Sequence, residues 1–272
     1  MPELPEVETC RAGIAPHIEG KTFKSVIVRQ SQLRWPIPSN LSAVLSGQCV
    51  HKVKRRAKYL IINCDTGNLL LHLGMSGNLR ITTADFTPGK HDHLDFIYTD
   101  DTVLRFNDQR KFGAVLWCDT PIDKHPLLSK LGPEPLTEEF NADYLLEQAG
   151  KRNLAVKSFI MDSHIVVGVG NIYANEALFL AGIHPNKPAG KISLNAYQNL
   201  VCAIKEILQQ AIIQGGTTLR DFTNHDGKPG YFKQSLRVYG RAKQACLICE
   251  APIQIVKIGQ RSSFFCPHCQ VA

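Results

Sequence analysis

The C-terminal end of the chain constrains its fold most strongly. Cys246-Leu-Ile-Cys249 and Cys266-Pro-His-Cys269 are two CxxC pairs separated by sixteen residues. Pairs at this separation supply four thiolates to one tetrahedral zinc ion, a closed structural site with no coordination position left for chemistry. Between them, Ile253–Ile258 and Ser262–Phe265 are short β-type runs joined by Gly259-Gln260-Arg261, a hairpin with glycine in its turn. The segment therefore reads as a zinc ribbon. A hairpin this small buries too little apolar surface to fold unaided, and the metal supplies the difference. Arg261 falls at or beside the tip, where a phosphate-facing guanidinium and a solvated turn arginine fit equally well.

The opposite end, Met1-Pro2-Glu3-Leu4-Pro5-Glu6-Val7-Glu8, makes more sense as chemistry than as structure. Proline in second position favours removal of the initiator methionine, which leaves a secondary amine beside carboxylates. Such an amine is a nucleophile toward an electrophilic sugar or carbonyl carbon and splits a hard substitution into two easier steps. The competing reading is that Pro2 and Pro5 only stiffen a chain end.

At 272 residues the chain is long enough for two domains, each with its own core. The formal charge of +7 favours a polyanionic partner. Five cysteines stand outside the zinc set (Cys10, Cys49, Cys64, Cys118 and Cys202), and their odd number and scattered spacing predict free thiols in a reducing compartment. The first twenty residues hold four glutamates and no apolar core, unlike a signal peptide. The most apolar long stretch, Ile165–Ile183, contains Asn171, Asn175 and Glu176 and makes a poor membrane span. A soluble, cytoplasmic protein is expected.

A helix is predicted from about Pro5 to Pro16, followed by strands at Phe23–Arg29, Tyr59–Cys64, Leu69–Leu73, His93–Thr99, Val103–Phe106 and Ala114–Cys118. The turn signals between them are short, so the strands are antiparallel and form a two-sheet sandwich or flattened barrel. Pro121, Pro126, Pro133 and Pro135 mark an interdomain connector. Beyond it the period becomes helical. Asn141 is placed to cap a short helix through Gln148, and Asn171–Gly182 reads as another. Ser193–Gln214 carries an apolar stripe (Tyr197, Leu200, Val201, Ile204, Ile207, Leu208, Ala211, Ile212) and stops at Gly215-Gly216. The last two helices, joined by an extended turn, resemble a helix–two-turn–helix. The fold class is α+β: an antiparallel β-sandwich domain over residues 1–120, a linker over 121–135, a helical helix–two-turn–helix domain over 136–236 and the ribbon over 237–272.

Several segments have the composition of a nucleic-acid surface. Gly168-Val-Gly170-Asn171-Ile-Tyr173 precedes a helix whose unpaired N–H groups suit phosphate, while Asn171 as a simple N-cap is the plainer alternative. Lys54-Arg55-Arg56-Ala57-Lys58 is a basic cluster entering a strand. Charge runs of this kind are usually solvated, but Lys58 lies at the strand boundary, where a lysine can be held. Leu73-Gly74-Met75-Ser76-Gly77 and Asp108-Gln-Arg110-Lys-Phe112-Gly113 are glycine-bracketed turns. Met75, Arg110 and Phe112 at their tips suit a wedge for a base stack, or else Met75 and Phe112 plug the end of the sandwich. The polar, glycine-bounded Thr217–Lys228 has the composition of a lid.

These motifs resemble, over essentially the whole chain, the bacterial formamidopyrimidine-DNA glycosylase family (8-oxoguanine DNA glycosylase/AP lyase). They fall in the family's order: PELPEVE, RRAKYL, LGMSG, KHDH, RKFG, GVGNIY, GGTTLRDF, GKPGYF, VYGR and the four-cysteine ribbon. The endonuclease VIII branch is similar in fold but differs at its start and in its intercalating loops. The resemblance implies excision of oxidised purines from duplex DNA and cleavage of the abasic site by β,δ-elimination. It implies Pro2 as the nucleophile that forms a Schiff base with C1′, Glu3 as acid/base, Lys58 in proton transfer during β-elimination, and Arg261 in δ-elimination and phosphate binding. His91, Arg110, Lys151 and Asn171 match DNA-backbone contacts. Met75, Arg110 and Phe112 would fill the gap left by the extruded nucleotide. One structural zinc ion on Cys246, Cys249, Cys266 and Cys269, damaged double-stranded DNA as partner, no membrane association and a monomeric state complete the expectation. One departure is Lys111, where the family often has a second arginine.

Overall fold

The computed structural model describes residues 2–216 and 236–271. Met1, the Thr217–Lys228 segment with its lid-like composition and the GKPGYF motif lie outside the described residues. The described chain divides into two compact units, one of residues 2–129 and 214–216, the other of residues 130–213 and 236–271.

The first unit opens with helix α1 (Leu4–Ile18) and strand β1 (Phe23–Val28), followed by the short helix α2 (Leu41–Leu45). Seven strands complete it: β2 (Val50–Arg56), β3 (Tyr59–Cys64), β4 (Asn68–His72), β5 (Asn78–Thr83), β6 (Asp92–Tyr98), β7 (Thr102–Asn107) and β8 (Ala114–Cys118). Two antiparallel four-stranded sheets result, ordered β1-β6-β7-β5 and β2-β3-β4-β8. Alternation drives this arrangement. Leu60, Ile62, Leu69 and Leu71 point into one core with Phe23, Leu94, Phe96, Leu104 and Phe106 of the other sheet. Val7, Cys10, Ile14 and Ile18, on one stripe of α1, enter the same core. Each such side chain taken fully from water contributes about 1.5–3 kcal/mol.

The sandwich matches the sequence expectation, but β2 and β5 are additions to it. A register shift between Val50 and Lys52 breaks the period of β2, and β5 presents a mostly polar sequence, Asn-Leu-Arg-Ile-Thr-Thr. The basic cluster Lys54-Arg55-Arg56 is thus the end of a strand rather than an approach to one. On the sheet containing β6 and β7, Arg105 is 1% exposed and grips Asp95 through two bonds of 2.7 and 2.8 Å. Burial alone would raise the Asp95 carboxyl, but the guanidiniums of Arg105 and Arg29 hold it below the usual range.

Topology places two connections side by side. Strands β4 and β8 are neighbours in one sheet, and β5 and β7 are neighbours in the other. The β4–β5 and β7–β8 segments, which carry Met75 and Phe112 respectively, therefore both cross between sheets at the same end of the sandwich.

The second unit contains α3 (Ala142–Ala149), α4 (Val156–Ile160), α5 (Asn171–Leu180) and α6 (Leu194–Ile213), then the hairpin β9 (Gln254–Ile258) and β10 (Arg261–Phe265). Asn141 caps α3 as expected, its side chain accepting the Tyr144 N–H at 2.9 Å. Ser193 Oγ accepts the Ala196 N–H at the start of α6 (3.3 Å). The predicted stripe of α6 is buried from Tyr197 to Ala211 and packs on α3 and α5. Gly170, not Asn171, is the N-cap of α5, and Asn171 is its first helical residue. The five-residue α4 is a further addition, being too short to show a period. No helix among the described residues is long and apolar enough to cross a membrane.

Candidate active site and nucleic-acid interface

Pro2 lies buried immediately ahead of α1, and Glu3 is the N-cap of that helix, 2% exposed. Glu6 Oε2 accepts the Glu3 backbone N–H at 2.8 Å, which fixes the chain direction at Pro2. The positive end of the α1 dipole faces this corner, so it opposes protonation of an amine there and stabilises the carboxylates. Gly216, with φ +80, lies so close to Glu6 that an added Cβ would sit 3.0 Å from its Oε1. The GGTTLRDF motif thus begins against the same corner.

Lys58 occupies the second position of the two-residue turn between β2 and β3, set by the Arg56–Tyr59 pairing. Ala57, the first position, has φ 55. Arg55 Nε bonds Glu8 Oε2 at 2.9 Å with both side chains largely buried, and this bridge draws the hairpin end to the first half of α1. The ring of His72, on β4, lies 4.8 Å from that of Tyr59. Burial, reinforced by the positive fields of Lys58 and Arg34, pushes His72 down to about 4, so the imidazole is neutral at pH 7.

At the crossing end of the sandwich, Met75 is half-buried, while Arg110 and Phe112 are exposed, Phe112 by 46%. The Arg110 guanidinium sits 5.1 Å over the Phe112 ring, a cation–π pair that preorders the tip. His91 and His93 stand edge to face at 6.4 Å on the neighbouring strand entry. Lys111 adopts φ 57 and its Nζ donates to Gln30 Oε1 at 2.9 Å.

In the second unit, the Asn171 side chain donates to Ser262 O at 3.2 Å. Asn175, one turn later, accepts the Phe264 N–H at 2.7 Å. These bonds bring the start of α5 onto β10, so Asn171 and Arg261 share one neighbourhood. Ile258 pairs with Arg261, leaving Gly259-Gln260 as the turn, with φ of 52 and 63. Both central residues are left-handed, as a type I′ hairpin requires. Arg261 is therefore the first strand residue past the tip, and it is exposed. Lys157 is 1% exposed, yet its Nζ donates to Ser262 O and Ser263 Oγ at 2.9 and 2.7 Å. This buried ammonium gives two of its donors to the strand that begins with Arg261. Lys151 lies exposed just after α3, where the turn is so tight that a Cβ on Gly190 would clash with Gly150 O and Arg152 N. Glu176 accepts the N–H groups of Arg237, Val238 and Tyr239 at 2.8–3.0 Å and pins the chain ahead of the ribbon.

The four ribbon cysteines converge. Their Sγ atoms lie within 4.8 Å of one another, with Cys249–Cys266 at 3.3 Å and Cys246–Cys269 at 3.9 Å. A Zn–S bond of about 2.3 Å sets tetrahedral sulfurs about 3.8 Å apart, so the donor set and spacing fit zinc. Burial opposes ionisation of Cys246, but the amides of Ile248 and Cys249 together with the thiols of Cys266 and Cys249 outweigh it and bring this thiol down to about 7. The ribbon is a structural zinc site, with one ion per chain.

Known proteins match in the same order as these parts. The model of the formamidopyrimidine-DNA glycosylase N-terminal domain matches residues 1–115, that of the family's H2TH domain residues 131–223, and that of the zinc finger found in FPG and IleRS residues 243–271. The formamidopyrimidine-DNA glycosylase of Methylococcus capsulatus is 57% identical over 99% of this chain and all of its own length. The chain belongs to the formamidopyrimidine-DNA glycosylase family. A Vibrio cholerae glycosylase of the family is 56% identical over the same span. Among solved structures, the Lactococcus lactis Fpg in complex with an abasic site containing DNA superposes with a TM-score of 0.91 at 34% identity, covering 99% of this chain and all of that one. The MutM (FPG) protein of Thermus thermophilus gives 0.87 at 34% identity over 99% of this chain and 98% of that one. Within this chain, sequence patterns lead to the side chains that face outward from turns. They miss Ser76, Asp108, Lys157, Asn175 and Glu176, which act through long-range hydrogen bonds that no local motif announces.

Proposed function

We propose that this chain excises oxidised purines, 8-oxoguanine and formamidopyrimidines, from damaged duplex DNA and then cleaves the abasic site, with the Pro2 amine as nucleophile once Met1 is removed. The supporting observation is the position of Pro2 ahead of the α1 N-terminus, in a chain related over its full length to glycosylases of this name. The amine attacks C1′, so an N–C1′ bond forms as the bond from C1′ to the base breaks. Opening of the sugar ring and loss of the amine proton then give an iminium. Glu3 protonates the opening sugar. The iminium acidifies C2′, and loss of that proton expels the 3′ phosphate, with Lys58 placed for proton transfer. Elimination of the 5′ phosphate follows, assisted by Arg261. Glu3 and Glu6 favour the protonated amine, while the helix dipole and the Lys58 charge favour the neutral form that the first step needs.

His91, Arg110, Lys151 and Asn171 contact the DNA backbone in this reading, and such binding weakens steeply with salt. Met75, Arg110 and Phe112 fill the space vacated by the flipped nucleotide. The protein acts as a monomer in the bacterial cytoplasm, on the chromosome. Borohydride reduction tests the mechanism directly: it should trap a covalent protein–DNA complex whose adduct maps to Pro2 by mass spectrometry. Pro2→Gly should lose most base excision. An adduct on another side chain, or near-normal turnover in that variant, would remove Pro2 from the mechanism.

A further inference from the structure

The two cross-sheet segments that carry Met75 and Phe112 are joined to each other through two buried side chains, Ser76 and Asp108. Asp108 is 0% exposed. Its Oδ1 accepts from Ser76 Oγ at 2.6 Å and from the Arg110 N–H at 3.3 Å, and its Oδ2 accepts from the Gly113 N–H at 2.7 Å. Ser76, 3% exposed, accepts the Arg110 N–H in turn at 3.0 Å. The backbone carbonyl of Asp108 takes the Lys111 N–H and a His93 Nε2 contact of 2.8 Å. Among the described residues no lysine or arginine pairs with this carboxyl. Every bond its side chain makes goes to one of the two segments.

The backbones also touch. A Cβ on Gly74 would lie 2.4–2.5 Å from Phe112 C, Phe112 O and Gly113 N. Within its own segment, the Gly77 N–H closes on Leu73 O at 2.8 Å. Met75 is consequently flanked on both sides by residues tied to the opposite segment, and Phe112 lies between Arg110 and Gly113, which meet that segment at Ser76 and Gly74.

We infer that Asp108, acting through Ser76, is a positioning residue that locks the Met75 and Phe112 segments into one preformed wedge; this rests on the function proposed above. A side chain pressed into a base stack is pushed back by the stack, and a probe on a loose loop would yield. A buried polar cluster with every acceptor used resists that displacement, because any shift leaves a polar group unpaired in a dry site. Apolar packing of the same volume would hold the fold but would not tie these two tips together.

The test uses the full-length enzyme and single-turnover excision of 8-oxoguanine, placed either opposite cytosine or opposite an abasic-site analogue that leaves no orphaned base to support. Ser76→Ala cuts the link between the segments and spares the Asp108–Gly113 bond. It should slow excision opposite cytosine about tenfold and slow excision opposite the abasic analogue at least threefold less. Asp108→Ala should do more. Asp108→Asn should recover part of the loss, because a rotated amide can donate to Ser76 Oγ while its oxygen keeps the Gly113 N–H. Fluorescence of 2-aminopurine beside an uncleavable abasic analogue reports wedge insertion without chemistry, and should rise more slowly in Ser76→Ala than in the wild type. Equal slowing on both duplexes, or wild-type fluorescence kinetics in Ser76→Ala, would overturn the inference. Wild-type protein that inserts its wedge but neither excises 8-oxoguanine nor forms a borohydride adduct would instead overturn the proposed function.

Discussion

Two hairpins of this glycosylase present a cation at a two-residue turn, and they are supported in opposite ways. The β2–β3 hairpin holds Lys58 at one end of a four-stranded sheet, above a core of Leu60, Ile62, Leu69 and Leu71. The β9–β10 hairpin, which carries Arg261, is a two-stranded ribbon whose strand β9 is exposed along most of its length. Its support comes from four thiols at one end and from Lys157, Asn171 and Asn175 beside it. One hairpin rests on an apolar core with the Arg55–Glu8 bridge beside it, the other on metal ligation and hydrogen bonds. An isolated two-stranded hairpin is marginal in water, so the ribbon can project Arg261 only because zinc replaces the missing core.

Metal removal should separate the two most sharply. Structural zinc contributes on the order of 10 kcal/mol or more to small modules of this kind, so Cys249→Ser or chelation should unfold the ribbon. DNA affinity, read by fluorescence anisotropy, should fall by about a hundredfold, equivalent to about 2.7 kcal/mol. Hydrogen exchange should show amides of β9 and β10 losing protection while those of β3 and β4 keep theirs. Simultaneous loss in both would break the comparison.

Acid sharpens the contrast from the other side. His72 has a folded pKa of about 4 against 6.5 unfolded. Between those values the unfolded chain binds more protons, so stability present above pH 6.5 is lost as pH falls toward 4, up to about 3 kcal/mol. In His72→Gln the denaturation midpoint should depend less on pH across that window, and an unchanged slope would remove His72 as the cause. Lys157→Met should cost about 2–3 kcal/mol, because Ser262 O and Ser263 Oγ lose a charged donor in a buried place. Differential exchange should put that loss on the ribbon and not on β2–β3. The smallest effects concern the turns themselves. Ala57 and Gln260 both carry a Cβ at positive φ, so Ala57→Gly and Gln260→Gly should each stabilise by about 0.5–1 kcal/mol in thermal melts. A destabilised Ala57→Gly would mean that the Ala57 side chain, 4% exposed, contributes more by packing than its backbone costs.

The two ends of this comparison are unequally legible in the sequence. The ribbon can be read almost completely, because ligand spacing, β-type runs and a glycine turn are all local. The bounds of β3 and β8 are equally plain because each strand is a dense apolar run. Strand β2 is hidden by a register shift and by a charged sequence that also suits a solvated loop, and α4 exists through packing that no five-residue pattern encodes. Among the proposed site residues, Pro2, Lys58, Met75, Arg110, Phe112 and Arg261 are visible as reactive or protruding groups beside turn signals. The residues that hold them are not. Asp108 reaches back 32 positions to Ser76, and Lys157 bonds residues 105 and 106 positions away. Such pairings come into being only when the chain is folded.

The contact between Gly74 and the Phe112 carbonyl carries a lesson for anyone reshaping this enzyme toward other lesions. Residue 74 needs a left-handed backbone and has no room for even a methyl group, whereas the Phe112 and Arg110 side chains project into solvent. Libraries randomised at 75, 110 and 112 should therefore yield soluble, well-behaved variants, while the same diversity introduced at 74 should be eliminated before any selection for activity begins.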